Sequence, residues 1–224
     1  FNYKAFKHIK RHSIRATERL ADERGESPDI SGSGRRNAHL LAVAPNASSS
    51  IICGGTSPSI EPYRANVYTH KTLSGSFQVK NKYLEEVLQD KGLKKDELSA
   101  LWKDIAGKEG SVQHLDILTD DEKEIFKTAN EIDQIWIIEH AAKRQEFICQ
   151  AQSVNLFFTI PTATEPQEVH DEYMQYVNDV HWYGMNKLKS LYYFRTNAAR
   201  NAENVNTKVQ RIKLDDAECI ACEG

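Results

Sequence analysis

The chain has 224 residues, 40% of them hydrophobic and 27% charged, with a formal net charge of -3. That is enough apolar material for one sizeable core or two small ones, and the slight acidity argues against a general nucleic-acid binder. No apolar run approaches the ~20 residues of a membrane helix, and the opening "FNYKAFKHIKRH" lacks the apolar stretch of a secretion signal, so a cytoplasmic protein with no membrane and no nucleic-acid partner is expected.

Residues 3–23 read as a polar helix stopped at Gly25, basic through residues such as Lys4, Arg11, Arg15 and Arg19, whose simplest reading is a solvated face. "GESPDISGSGRRN" collects loop formers, "HLLAVAP" is a short apolar strand halted at Pro45, and "NASSSIICGGTSPSIEP" reads as a long small-residue loop. So much loop directly after a buried strand marks a candidate site. "YRANVYTHKTLSG" looks extended; "NKYLEEVLQDKG" and "KDELSALWKDIAG" read as short helices with glycine stops, the second carrying an apolar stripe of Leu98, Leu101 and Ile105.

The stretch from Thr119 to Gln145 is predicted as one long helix, opened by a capping box of Thr119 and Glu122 and placing Ile125, Ala129, Ile132 and Trp136 on one face. "SVNLFFTIP" is a strand, and residues 164–188 form a second long helix, capped by Thr164 with Gln167 and carrying Pro166 in its first turn. It hands over to "SLYYFRT". Strand, helix, strand requires parallel pairing, so the tyrosines enter an α/β sheet or barrel. Residues 198–224 read as a weakly structured tail.

Three motifs invite chemistry. The small residues of "PNASSS" could converge backbone N–H groups and hydroxyls on an anion, or form a plain turn, since neither Gly-Lys-Ser nor G-x-G-x-x-G is present. Cys219 and Cys222 form a C-x-x-C that suits disulfide exchange or half of a zinc site, while Cys53 and Cys149 stand alone. Tyr192 and Tyr193 are adjacent; on a regular strand they would point to opposite faces, one into the core and one over the surface.

In combination these segments are more specific. "LLAVAPNASSSII", "SPSIEPYRANVYTHKTLSGSFQVKN", "QAQSVNLFF", "LKSLYYFRT" and the closing "CIACEG" resemble, in order, the C-terminal part of the large subunit of class I ribonucleotide reductase, from about Arg35 to Gly224. The resemblance implies the C-terminal portion of a ten-stranded α/β barrel with long helices and a flexible C-terminal tail. It implies that Tyr193 receives an oxidising equivalent and Tyr192 passes it inward to a cysteine; that Pro45, Asn46, Ala47, Ser48 and Ser49 hold the substrate diphosphate; and that Cys219 and Cys222 re-reduce an active-site disulfide. The chain would bind no cofactor or metal directly: the tyrosyl radical and di-iron centre come from the small subunit, and thioredoxin or glutaredoxin is the reductant. The helix from about Glu168 to Lys187 would dock the small subunit's tail.

The departures matter. The family's radical-bearing cysteine lies upstream of anything here, and neither Cys53 nor Cys149 has its context; the electron-donating thiols and effector regions are also missing. The expectation is therefore a partial active site working with an N-terminal large-subunit chain and the small subunit on a ribonucleoside diphosphate. Residues 1–37 would be a helix and linker, 38–197 the barrel portion and 198–224 the redox tail. The alternatives are a noncatalytic binding module, disfavoured because all three motifs are intact, and a freestanding thiol oxidoreductase, for which the tail offers no folded setting.

Overall fold

The computed structural model describes residues 1–54, 56–72 and 75–196. Asn2–Arg24 forms helix α1, and Gly25 ends it at φ 80°, where its N–H closes onto the Ala21 carbonyl. The expected small-residue loop contains a short helix, α2 (Ala47–Ile52). The reading as continuous loop missed it because serines favour turns as readily as helix starts. Val67–Thr72 (β1) and Gly75–Lys80 (β2) pair antiparallel, from Val67 opposite Lys80 to Thr72 opposite Gly75. Helices α3 (Lys82–Asp90) and α4 (Lys95–Gly107) follow as predicted, and Asn81 caps α3 by accepting from the Tyr83 N–H.

The single long helix expected from Thr119 to Gln145 is two. The Thr119–Glu122 box is present and opens α5, but α5 stops at Asp120–Ile125 and α6 spans Gln134–Gln145. Side chains break the periodicity between them. The Glu131 carboxylate accepts from Thr128 N–H and hydroxyl, Asp133 accepts from the Ile135 N–H to start α6, and the Ala129 N–H is taken by the Tyr63 carbonyl. Ile125 and Trp136, expected on the buried face, are exposed, while Ile137, Ile138 and Ala141 are buried instead. Gln134 completes the break: its Nε2 donates to the Ala129 carbonyl and its Oε1 accepts from the Phe157 N–H.

Leu156–Phe158 (β3) is buried throughout, as a parallel strand covered on both faces must be. The crossover helix α7 (Gln167–Lys187) begins after Pro166, which occupies the N-cap position; Thr164, expected there, hydrogen-bonds Thr162. β4 (Phe194–Thr196) then pairs parallel with β3, Leu156 opposite Phe194. The predicted "HLLAVAP" strand is reduced to a parallel bridge between Val43 and Gln152, closed by Val43 N–H to the Ala151 carbonyl and Ser153 N–H to the Val43 carbonyl. Three successive parallel passes thus lie in the order Val43, β3, β4.

Two apolar clusters hold this arrangement. One joins α6, β3 and α7 through Ile137, Ile138, Leu156, Phe157, Phe158 and Val180; the other joins β1, α3, α4 and the chain before and after α5 through Val67, Leu84, Leu88, Trp102, Ile105 and Phe126. Each fully buried large side chain contributes about 1.5–3 kcal/mol of transfer free energy. Gly184 of α7 lets Leu191 come close: a Cβ there would lie 3.0 Å from both Leu191 methyls. Among the described residues no helix is long and apolar enough to cross a membrane.

Candidate active site

The segment containing Pro45 to Ser49 leaves the carboxyl end of the first parallel pass, the end where open α/β sheets bind ligands. Pro45, Asn46 and Ser49 are exposed. Asn46 and Ser49 carbonyls accept from the Ser50 and Cys53 N–H groups, which fixes α2 directly behind Pro45. Two staples close the excursion. Ser59, at φ 54°, donates its hydroxyl to the Ala44 carbonyl. Two residues on, Glu61 is buried, and its Oε1 accepts from the Asn155 N–H at 3.2 Å and the Asn155 amide at 2.5 Å.

Asn155 carries this connection to the tyrosines. Its Oδ1 accepts from the Tyr193 N–H at 3.3 Å. In a regular parallel ladder the residue whose carbonyl accepts from Leu156 N–H also donates to the Val154 carbonyl. Here Tyr193 accepts from Leu156, but Tyr192 donates to Val154. The slip of one residue acts as a bulge and re-aims the side chains. The two rings therefore meet, with centroids 4.0 Å apart and planes at 46°, where a regular strand would have sent them to opposite faces. Both are about half exposed, so neither is a core residue. The neighbouring Tyr193 phenol raises the Tyr192 pKa above its ordinary value, with the nearby Arg195 opposing. Tyr192 also lines a cavity of about 530 Å³ with Val43, Gln152 and Ser190.

Burial pushes the Glu61 carboxyl above the usual range, and Asn155, Arg64 and Arg195 offset part of that cost. Arg195 lies over the Tyr193 ring at 5.3 Å. Neither Glu61, Asn155 nor Arg195 stood out in the sequence. The one available signal was Asn155, a polar residue inside an otherwise apolar strand.

Of the remaining candidates, Cys219 and Cys222 lie outside the described residues, as does any tail beyond Thr196. Ala47 and Ser48 belong to α2. Cys53 is exposed. The Cys149 sulfur accepts from the Leu40 and Leu41 N–H groups; burial pushes the thiol up, but those amides and Lys10 outweigh it, so it rests below the usual thiol range. On α7, Met174, Trp182 and Met185 are exposed at helical spacing while Val180 and Gly184 face inward.

Comparison with known proteins decides the family. Residues 1–194 match the family model described as "Ribonucleotide reductase, barrel domain". The chain belongs to the ribonucleotide reductase barrel-domain family. It is 42% identical, over its whole length, to 34% of the "Ribonucleoside-diphosphate reductase large subunit" of Invertebrate iridescent virus 3. Against the protein of the same name from Caenorhabditis elegans it is 33% identical, over 87% of this chain and 25% of that one. Among solved structures, the "Actinobacillus ureae class Id ribonucleotide reductase alpha subunit" matches with a TM-score of 0.68 and 39% identity, covering 87% of this chain and 33% of that chain. The chain thus spans about a third or less of these relatives. The barrel-domain match begins at residue 1, so it takes in α1, which the motif resemblance from Arg35 onward did not reach.

Proposed function

We propose that this chain supplies the C-terminal part of a ribonucleotide reductase active site and acts with the rest of a large subunit and a small, radical-generating subunit on ribonucleoside diphosphates. The observation that carries the reading is the tyrosine pair: two adjacent phenols with ring centroids 4.0 Å apart, on the chain entering the sheet whose first pass ends at Pro45. The relay reading uses this close approach of two half-exposed rings, which a regular strand would not give.

In this reading Tyr193 is oxidised first by the small subunit's radical. The Tyr192 hydroxyl then gives one electron and one proton to the Tyr193 phenoxyl, leaving Tyr193 as phenol and Tyr192 as phenoxyl. Tyr192 recovers its hydrogen atom from a cysteine thiol in the remainder of the large subunit. The Pro45–Ser49 segment, followed by α2, holds the diphosphate with amides and hydroxyls. Substrate reduction turns two thiols into a disulfide; Cys219 and Cys222 exchange with it, become a disulfide themselves, and are reduced by thioredoxin or glutaredoxin. The exposed Met174, Trp182 and Met185 of α7 form the seat for the small subunit's tail. Residues 1–37 serve as helix and linker, 38–197 as barrel portion and 198–224 as redox tail, in a cytoplasmic enzyme.

The test is reconstitution. The isolated chain should show no reductase activity, and adding a chain with the upstream cysteines plus the small subunit should restore turnover. Activity of the chain alone would overturn the assignment. Nucleotide binding without restored turnover would favour a noncatalytic binding module.

A second expectation concerns the loop. Replacing Ser48 and Ser49 by Ala in the reconstituted enzyme should weaken substrate binding by about 1–3 kcal/mol for each hydroxyl bond to phosphate that is lost. Equilibrium binding measures this. Unchanged affinity would leave the phosphate to the backbone amides or to another segment.

A further inference from the structure

Arg195 follows the tyrosine pair on β4, and its placement is unusual for a guanidinium. Its Cζ lies 5.3 Å from the centroid of the Tyr193 ring. Its Nε is buried and, among the described residues, has no hydrogen-bond partner. A buried guanidinium N–H left unpaired costs free energy, and packing alone would be served as well by an apolar side chain. The charge needs a reason.

The neighbouring charges supply one. Arg195 on β4 acts on Tyr192 and on Glu61, Arg64 acts on Glu61 from the chain that returns after α2, and the His181 ring of α7 meets Phe194 at 5.6 Å. Glu61 is braced by Asn155, and Asn155 holds the Tyr193 N–H, so the carboxylate and the tyrosine backbone are fixed to one another. Seated on the Tyr193 ring, which touches the Tyr192 ring, the Arg195 charge favours ionised Glu61 and opposes the effect by which the Tyr193 phenol makes Tyr192 hold its proton.

We propose that Arg195 is a positioning residue of the tyrosine pair: its guanidinium clamps the Tyr193 ring and lends a positive charge that eases proton loss from Tyr192, with buried Glu61 as its counter-charge. The inference rests on the relay reading for its purpose, because a phenol that must release electron and proton together is sensitive to a fixed charge beside it. The electrostatics do not depend on turnover.

The test labels position 192 of the 224-residue chain with a fluorotyrosine and follows the phenol by fluorine NMR across a pH titration. Arg195→Gln should move the phenol titration upward by about one pH unit, because an approaching cation favours the charged phenolate and its removal does the reverse. Arg195→Lys should restore part of the shift. Tyr193→Phe should move it downward by removing the neighbouring phenol hydroxyl. Glu61→Gln, which keeps an acceptor for Asn155 but removes the counter-charge, should also move it downward, and it carries the test if Arg195→Gln does not fold. A purely structural role for Arg195 would move none of these in opposite directions. No shift, or shifts of one sign in the Arg195 and Glu61 variants, overturns the proposal. If the shifts occur but Tyr→Phe variants keep full turnover, the electrostatic device stands and the relay falls. Absent shifts with inactive Tyr→Phe variants mean the opposite.

Discussion

Tyr192→Phe and Tyr193→Phe should each reduce turnover of the reconstituted enzyme by at least about a thousandfold, with little change in fold or in substrate affinity. The substitution keeps the ring and deletes one hydroxyl. The ring contact at 4.0 Å survives, and the backbone bonds that place the pair, Tyr192 N–H to Val154 and Leu156 N–H to Tyr193, do not involve the side chains. Each phenol is about half exposed, so the partner left behind can hydrogen-bond water and no buried orphan is created. What Phe cannot do is yield an electron and a proton together. Steady-state assays would give the loss in turnover, binding measurements the affinity, and circular dichroism the fold. A variant with near-normal turnover would return the pair to a surface-packing role. Loss of activity accompanied by an equal loss of folding would make the hydroxyls structural.

The extent to which the sequence anticipated this site follows the range of the interactions. Where neighbours in sequence decide, the reading was close: α1 stops at Gly25, Asn81 starts α3, and the Thr119–Glu122 box opens α5. Where a distant group decides, it failed. The 119–145 pattern is helical by periodicity, but the Ala129 N–H donates to the Tyr63 carbonyl and the Phe157 N–H donates to Gln134 Oε1, and neither contact is visible in a local window. The small-residue stretch after Pro45 was read as continuous loop, and its helix α2 was missed.

The tyrosines show the same division. Their adjacency was legible and so was their place after a crossover helix, but the strand expected to carry them begins only at Phe194, so they precede β4. Their mutual approach was not legible, because it depends on the ladder slip, on Asn155 redirecting the Tyr193 N–H, and on Glu61 braced from 94 residues away. Glu61 and Arg195 are ordinary residues in sequence and acquire meaning only from burial and the ring beneath the guanidinium. The tail thiols were prominent in sequence and lie outside the described residues.

Gly110→Ala should destabilise the chain by about 3 kcal/mol or more, far beyond the effect of Gly92→Ala at a similar backbone angle. Both glycines have positive φ, 83° and 79°, so each alanine carries the left-handed penalty of about 1–2 kcal/mol. The difference is space. A Cβ at Gly92 meets nothing within 4 Å, whereas at Gly110 it would fall 2.5 Å from the Ala65 Cβ, 2.8 Å from its Cα and 2.9 Å from the Asn66 nitrogen. Two of those atoms are backbone and cannot swing aside. The same approach lets the Gly110 carbonyl accept from both the Asn66 N–H and its side-chain amide, while Asn66 also binds the Phe126 carbonyl and the Asn81 amide. Moving Gly110 away would leave the buried Asn66 side chain with unpaired polar atoms, adding to the cost. The strain would also pass along the chain toward Glu61, five residues before Asn66 and bound to Asn155 beneath the tyrosines. Urea denaturation of the two variants in parallel separates the backbone penalty from the steric one. Equal losses would mean that the Ala65–Gly110 approach yields easily, and that the segment carrying Glu61 is not fixed from this side.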